Sequence, residues 1–192
     1  MNNKIFKLIL CFTLLCLCIP SFGAKWRAKH VVLIGLDGWG AYSVEKANMP
    51  AVKQLMDNGS YTLEKRSVLP SSSAVNWASM FMGAGPELHG YTEWGSKTPE
   101  LPSRELSHYG IFPSIWGVFR DENPEAEIGF FCQWGGLEYL AEMKAMSKKM
   151  HVKAEDDPSG KADKAVATQS CIYIKEKKPA FVGIFFDDIP EG

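Results

Sequence analysis

Two features of this chain have residue types and spacing that could do chemistry. The first is the run Leu69-Pro70-Ser71-Ser72-Ser73-Ala74-Val75-Asn76-Trp77, three serines placed just before an apolar periodicity. The second is acidic: Asp37 and the pair Asp187–Asp188 each follow an all-apolar run. A serine at a helix start can serve as an N-cap. It can also be a nucleophile, because free N–H groups and the helix dipole there favour an anionic phosphate. A serine hydroxyl is a poor nucleophile without a base or a metal. The four histidines, His30, His89, His108 and His151, all lie away from Ser73 in sequence. That leaves a metal as the activator, with Asp37 as a candidate ligand.

These residues need elements to position them. His30–Leu36 is continuous, β-branched and apolar, the pattern of a strand buried on both faces of a parallel sheet. Asn48 as a cap, Pro50 in a first turn, and Met49, Val52, Leu55 and Met56 on one side predict a helix ending before Gly59. A strand is expected near Tyr61–Leu69. From Ser73, the residues Ala74, Trp77, Ala78 and Phe81 fall at helical spacing. Pro113 opens a short helix, Glu127–Cys132 is a strand, and Gly136–Met146 is a helix. Lys148–Lys164 is a polar linker. A helix carries Ala162, Ala165, Val166, Ile172 and Tyr173, and Ala180–Phe186 is a final buried strand. Alternating strands and helices predict an α/β sheet. Ligands collect beyond the carboxyl ends of such strands, where Asp37 and Asp187–Asp188 would meet.

Four stretches together carry a resemblance: Val31-Val32-Leu33-Ile34-Gly35-Leu36-Asp37-Gly38, Met49 to Gly59, Ser73-x-x-Asn76, and Gly85-Pro86-Glu87-Leu88-His89-Gly90. In order and separation they resemble the amino-terminal part of the type I phosphodiesterase/nucleotide pyrophosphatase family, within the alkaline phosphatase superfamily. The resemblance implies an alkaline-phosphatase-like, mostly parallel sheet with helices on both faces, its carboxyl part missing here. It implies Asp37 as a metal ligand and Ser73 as a nucleophile that also touches metal. It assigns Asn76 to the non-bridging phosphate oxygens. His89 matches a family position that is not a metal ligand and is expected to be structural; Trp77 is expected to pack. Two divalent ions, zinc by resemblance, would assist displacement on a small phosphodiester or pyrophosphate, through a phosphoryl- or nucleotidyl-serine.

The family's carboxyl-half ligands, an Asp-x-x-x-His element and an Asp-His pair, have no counterpart in this sequence. By offset, Glu191 takes the first acidic position, with Asp188 as its competitor. The metal cage is therefore expected to be incomplete, the chain to be the front part of a longer protein, and this part alone to be inactive. Alternatives are a phosphomonoesterase, a sulfatase, a phosphoethanolamine transferase, or a non-catalytic secreted fragment. The sulfatase reading lacks support, since Ser71–Val75 has neither the proline nor the arginine of Cys/Ser-x-Pro-x-Arg.

Lys4 and Lys7, the apolar run Leu8–Ile19, and the small residues Ser21 and Gly23 read as a signal peptide over 1–23. The run is too short for a spanning helix, which needs about 20 apolar residues. A secreted or periplasmic protein with no stable membrane anchor is expected. The domain is then 24–192, a partial hydrolytic α/β unit. Cleavage removes two of the 21 basic groups and none of the 22 acidic ones, leaving net −3. That balance excludes a nucleic-acid-binding patch. It suits a phosphate held by metal, helix amides and Asn76. Cys132 and Cys171 remain after cleavage and are expected as two buried thiols rather than a bridge. Trp39, Tyr91 and Trp94 lie near the motifs and could stack a ring, although packing also accounts for them.

Overall fold

The computed structural model describes residues 28–153 and 162–187. The expected signal peptide, Asp188 and Glu191 lie outside these residues. Four strands, β1 (Val31–Leu36), β2 (Ile128–Cys132), β3 (Lys148–His151) and β4 (Phe181–Phe186), form one parallel sheet in the order β1-β4-β2-β3. Among the described residues five α-helices accompany them: α1 (Pro50–Asn58), α2 (Ser73–Met82), α3 (Pro86–His89), α4 (Ile115–Glu122) and α5 (Ala162–Lys177).

β4 is central and buried because it reads Phe-Val-Gly-Ile-Phe-Phe, with large apolar groups on both sides. One face carries Phe181 and Phe185 with Ile128, Phe130 and Cys132 of β2, packed against Trp77, Ala78 and Phe81 of α2 and Trp116 of α4. Trp116 stacks on Phe181 with centroids 4.2 Å apart. The other face carries Val182, Ile184 and Phe131 against Val166 and Tyr173 of α5. The α/β architecture with helices on both faces of a parallel sheet is thus present.

Several local expectations fail. β1 is an edge strand, so Val32 is 47% and Ile34 55% exposed rather than buried on both faces. α1 starts at Pro50 with Met49, not Asn48, at its cap, and it buries none of its apolar stripe; Leu55 is 70% exposed. Residues 61–69 form no strand: the outer strands β1 and β3 pair only with β4 and β2, and this segment runs as loop with exposed side chains. The expected helix over 136–146 is two 3-10 turns, Gly135–Tyr139 and Met143–Ala145. The Glu142 carboxylate between them turns inward and accepts from Ser114 N–H, Ser114 Oγ and Gly117 N–H, which caps α4 and breaks the helical run. The predicted linker begins with β3, whose edge carries exposed Lys148 and Lys149; such charges discourage strand addition. Both cysteines are free, but Cys171 is exposed and only Cys132 is buried. Burial, with the nearby Glu138, pushes the Cys132 thiol up to about 12.

Candidate active site

Because every strand is parallel, their carboxyl ends share one edge of the sheet. Asp37 follows β1 directly, and its N–H donates to the Phe186 carbonyl at 3.0 Å, extending the β1–β4 ladder by one bond. Gly38 then turns the chain with φ of 71°, a left-handed conformation that glycine adopts without strain. Its N–H donates to Asp37 Oδ1 at 2.9 Å. The other carboxylate oxygen, Oδ2, accepts from the Trp77 indole N–H at 3.1 Å. Asp37 is half-buried and both its oxygens are oriented by the protein.

Trp77 does two jobs. It is 7% exposed and packs edge-on against Phe185 at 5.4 Å between centroids, as the helical pattern predicts. Its indole N–H also ties α2 to the end of β1, a role the sequence reading does not assign. Ser73 lies four residues earlier on the same helix face. The bond from Trp77 to Asp37 therefore ties α2, the helix that begins with Ser73, to the end of β1. The signal for this was available: an indole donor at i+4 from the candidate nucleophile.

Ser73 is the first residue of α2 and is half-buried. Ser72 holds the cap position in extended backbone, but its side chain makes no capping bond and its buried Oγ has no partner. The first-turn amides are thus left uncapped by a side chain, an arrangement that suits an anion. Asn76 clamps the preceding loop: its Oδ1 accepts from Val68 N–H and its Nδ2 donates to the Ser72 carbonyl, both at 3.0 Å. An amide carries two N–H donors, so one stands outside this pair of bonds.

Asp187 follows β4 as expected, and its N–H donates to Asp163 Oδ1 at the start of α5. Among the described residues no three His, Cys, Asp or Glu side chains converge as a metal site. Structural zinc takes four protein ligands and catalytic zinc three. Asp37 and Ser73 together fall short of that number, so the described residues alone do not form a zinc cage.

His89 is fully buried in α3. Its Nδ1 accepts from Tyr91 N–H at 3.1 Å, which assigns the proton to Nε2, directed at Ser79 Oγ 3.0 Å away. The ring is committed to structure, as expected, and is not a base for Ser73. Burial lowers its pKa, outweighing the raising effect of Glu87. The folded state then binds fewer protons than the unfolded state near pH 6.5, so this histidine's contribution is present above about pH 6.5 and is lost as pH falls. Denaturant titrations at pH 8 and pH 5.5 are expected to show a smaller acid-side loss in His89→Gln protein than in the parent.

Trp77→Phe tests the indole bond, since it keeps a ring against Phe185 and removes the N–H. A hydrogen bond to a charged group contributes about 1.5–3 kcal/mol, and half-exposure of Asp37 puts this one at the low end. Urea unfolding should show a loss of about 1–2 kcal/mol.

Residues 31–121 match the sequence profile of the type I phosphodiesterase / nucleotide pyrophosphatase family. Two solved structures of phosphonoacetate hydrolase from Sinorhizobium meliloti 1021 are similar in fold. One, in complex with phosphonoformate, gives a TM-score of 0.58; the other, with phosphonoacetate, gives 0.57. Each is 18% identical, and the match covers 85% of this chain and 47% of that chain. This chain therefore spans about half the length of the hydrolase it matches. No curated protein matches it. At this identity the likeness speaks for the alkaline-phosphatase-like α/β fold.

Proposed function

Since residues 31–121 carry the type I phosphodiesterase / nucleotide pyrophosphatase pattern, we propose that the protein is a phosphodiester or pyrophosphate hydrolase acting through Ser73. The observation that supports this reading is the Trp77–Asp37 hydrogen bond, which ties the helix beginning at Ser73 to the strand ending at Asp37. Ser73 Oγ gives up its proton and attacks phosphorus, the bond to one ester oxygen breaks and that oxygen leaves as the protonated alcohol, and the other ester group stays on the resulting phosphodiester of Ser73. Water then cleaves the phosphorus–Ser73 bond, releasing the phosphomonoester and restoring the hydroxyl. First-turn amides and the remaining Asn76 N–H stabilise charge on the non-bridging oxygens. Two divalent ions, zinc by family resemblance, would supply Lewis acidity when bound. Asp37 and Ser73 are the donors this chain offers among its described residues, and the rest of the cage would have to come from outside them. The reading includes a signal peptide at 1–23, a domain from residue 24 onward, and a secreted or periplasmic location.

Hydrolysis of bis-p-nitrophenyl phosphate against p-nitrophenyl phosphate tests it, with protein expressed from the full reading frame. The diester should be preferred by about tenfold or more in kcat/KM, and activity should vanish on chelation and return with zinc. Preference for the monoester would favour the phosphomonoesterase reading. No turnover of either ester with zinc present would favour the non-catalytic one.

A further inference from the structure

A second feature lies on the same sheet edge, beyond β2 and β3. There a cavity of about 460 Å³ is walled by Trp94, Trp134, Tyr139, His151, Lys97 and Lys153. Trp134 comes two residues after β2, and His151 ends β3. In the order β1-β4-β2-β3, with strands about 4.8 Å apart, the cavity is about 10–15 Å along the edge from Asp37. A phosphate at Ser73 does not fill it.

The walls are built for flat groups. The indoles of Trp94 and Trp134 stack with centroids 6.1 Å apart and planes at 29°, and Trp94 remains 67% exposed. Such a large aromatic surface in water, with one face already shared, is a platform for another ring. The adjoining Gly135-Gly136 pair is required by the packing. A β-carbon on Gly135 would run into the His151 imidazole, and one on Gly136 would run into the Trp134 indole. Glycine at both positions lets these rings lie directly on the backbone. Tyr139 is fixed by its carbonyl, which accepts from Tyr91 OH at 2.8 Å, and the Lys97 ammonium sits 5.6 Å over its ring. Lys97 thus pairs with a ring rather than a carboxylate. Lys97 and His151 line the cavity, and Glu138 is the one carboxylate in its lining.

We propose that this cavity binds a planar aromatic group carrying an anionic substituent, the ring stacking on Trp94 and Trp134 and the anion meeting Lys97. The site is separate from Ser73, and the inference does not depend on the hydrolytic reading.

Calorimetric titration of Ser73→Ala protein with 2-naphthyl phosphate, inorganic phosphate and 2-naphthol tests it, with turnover removed. Expected is saturable binding of 2-naphthyl phosphate at least about tenfold tighter than either comparator, because ring and charge must both be present. Trp94→Ala and Lys97→Gln, each added to that background, should weaken it about tenfold while leaving the far-ultraviolet circular dichroism unchanged. The inference is overturned if both variants bind 2-naphthyl phosphate as the parent does, or if the ring adds nothing over inorganic phosphate. Loss of binding with hydrolysis intact in Ser73-bearing protein would remove this inference alone.

Discussion

Ser73→Ala protein is expected to lose hydrolysis of bis-p-nitrophenyl phosphate by roughly 10³-fold or more in kcat, while its stability stays within about 0.5 kcal/mol of the parent. The two halves of that expectation have separate causes. Removing the hydroxyl removes the attacking atom, and amides or Asn76 can only assist an attack that something else makes. A thousandfold loss is about 4 kcal/mol of transition-state stabilisation, the size expected for a nucleophile rather than an auxiliary donor. Stability should be nearly unaffected because Ser72, not Ser73, holds the cap position of α2, and no capping bond is lost. An equal loss of activity and stability would point instead to a structural serine.

Gly35→Val is expected to have the largest effect on the fold. Gly35 sits in β1 with the Trp77 and Phe185 rings across it, and a β-carbon there would overlap Trp77 and approach Phe185 Cδ1 to 2.7 Å. Neither ring can yield easily. Trp77 is held by Phe81 and Phe185 and by its bond to Asp37, and Phe185 is 1% exposed. Overpacking of this kind costs about 1–3 kcal/mol, occasionally more, and should lower Tm by on the order of 5 °C. The indole must also move, so Asp37 loses its Oδ2 donor. Gly35→Val should therefore combine lower Tm with lower activity, whereas Trp77→Phe lowers activity with a smaller loss of stability. A Gly35→Val protein with unchanged Tm would mean that the Trp77 ring is not packed on β1.

What could be read from the sequence follows the range of the interactions involved. The helical spacing of Ala74, Trp77, Ala78 and Phe81 is local, and α2 forms where that pattern predicts it. The apolar runs of β1, β2 and β4 identify strands for the same reason. The edge position of β1 is not local: its composition resembles that of β4, and only the strand order distinguishes an open strand from an enclosed one. β3 is missed because Lys148-Lys149-Met150-His151 is polar, as a short edge strand with one partner can be. The 136–146 helix fails because Glu142 gains more as a buried cap on α4, 25 residues away at Gly117, than as an exposed residue in a helix. At the candidate site, Asp37 and Ser73 are candidates by residue type and order, and the structure ties the elements that carry them, β1 and α2, together. The indole bond that does so joins residues 40 apart and is invisible to spacing. Asn76 is legible as a residue, but its clamp on Val68 and Ser72 is not, since it depends on how the cap loop folds back.

The most direct measurement is to mix protein from the full reading frame with bis-p-nitrophenyl phosphate, quench in acid within a turnover, and map the phosphorylated peptide by mass spectrometry. The expected result is a p-nitrophenylphosphoryl group on Ser73 of the 69–77 segment and none in Ser73→Ala protein. Label on Ser71 or Ser72, or diester turnover unchanged in Ser73→Ala protein, would contradict it.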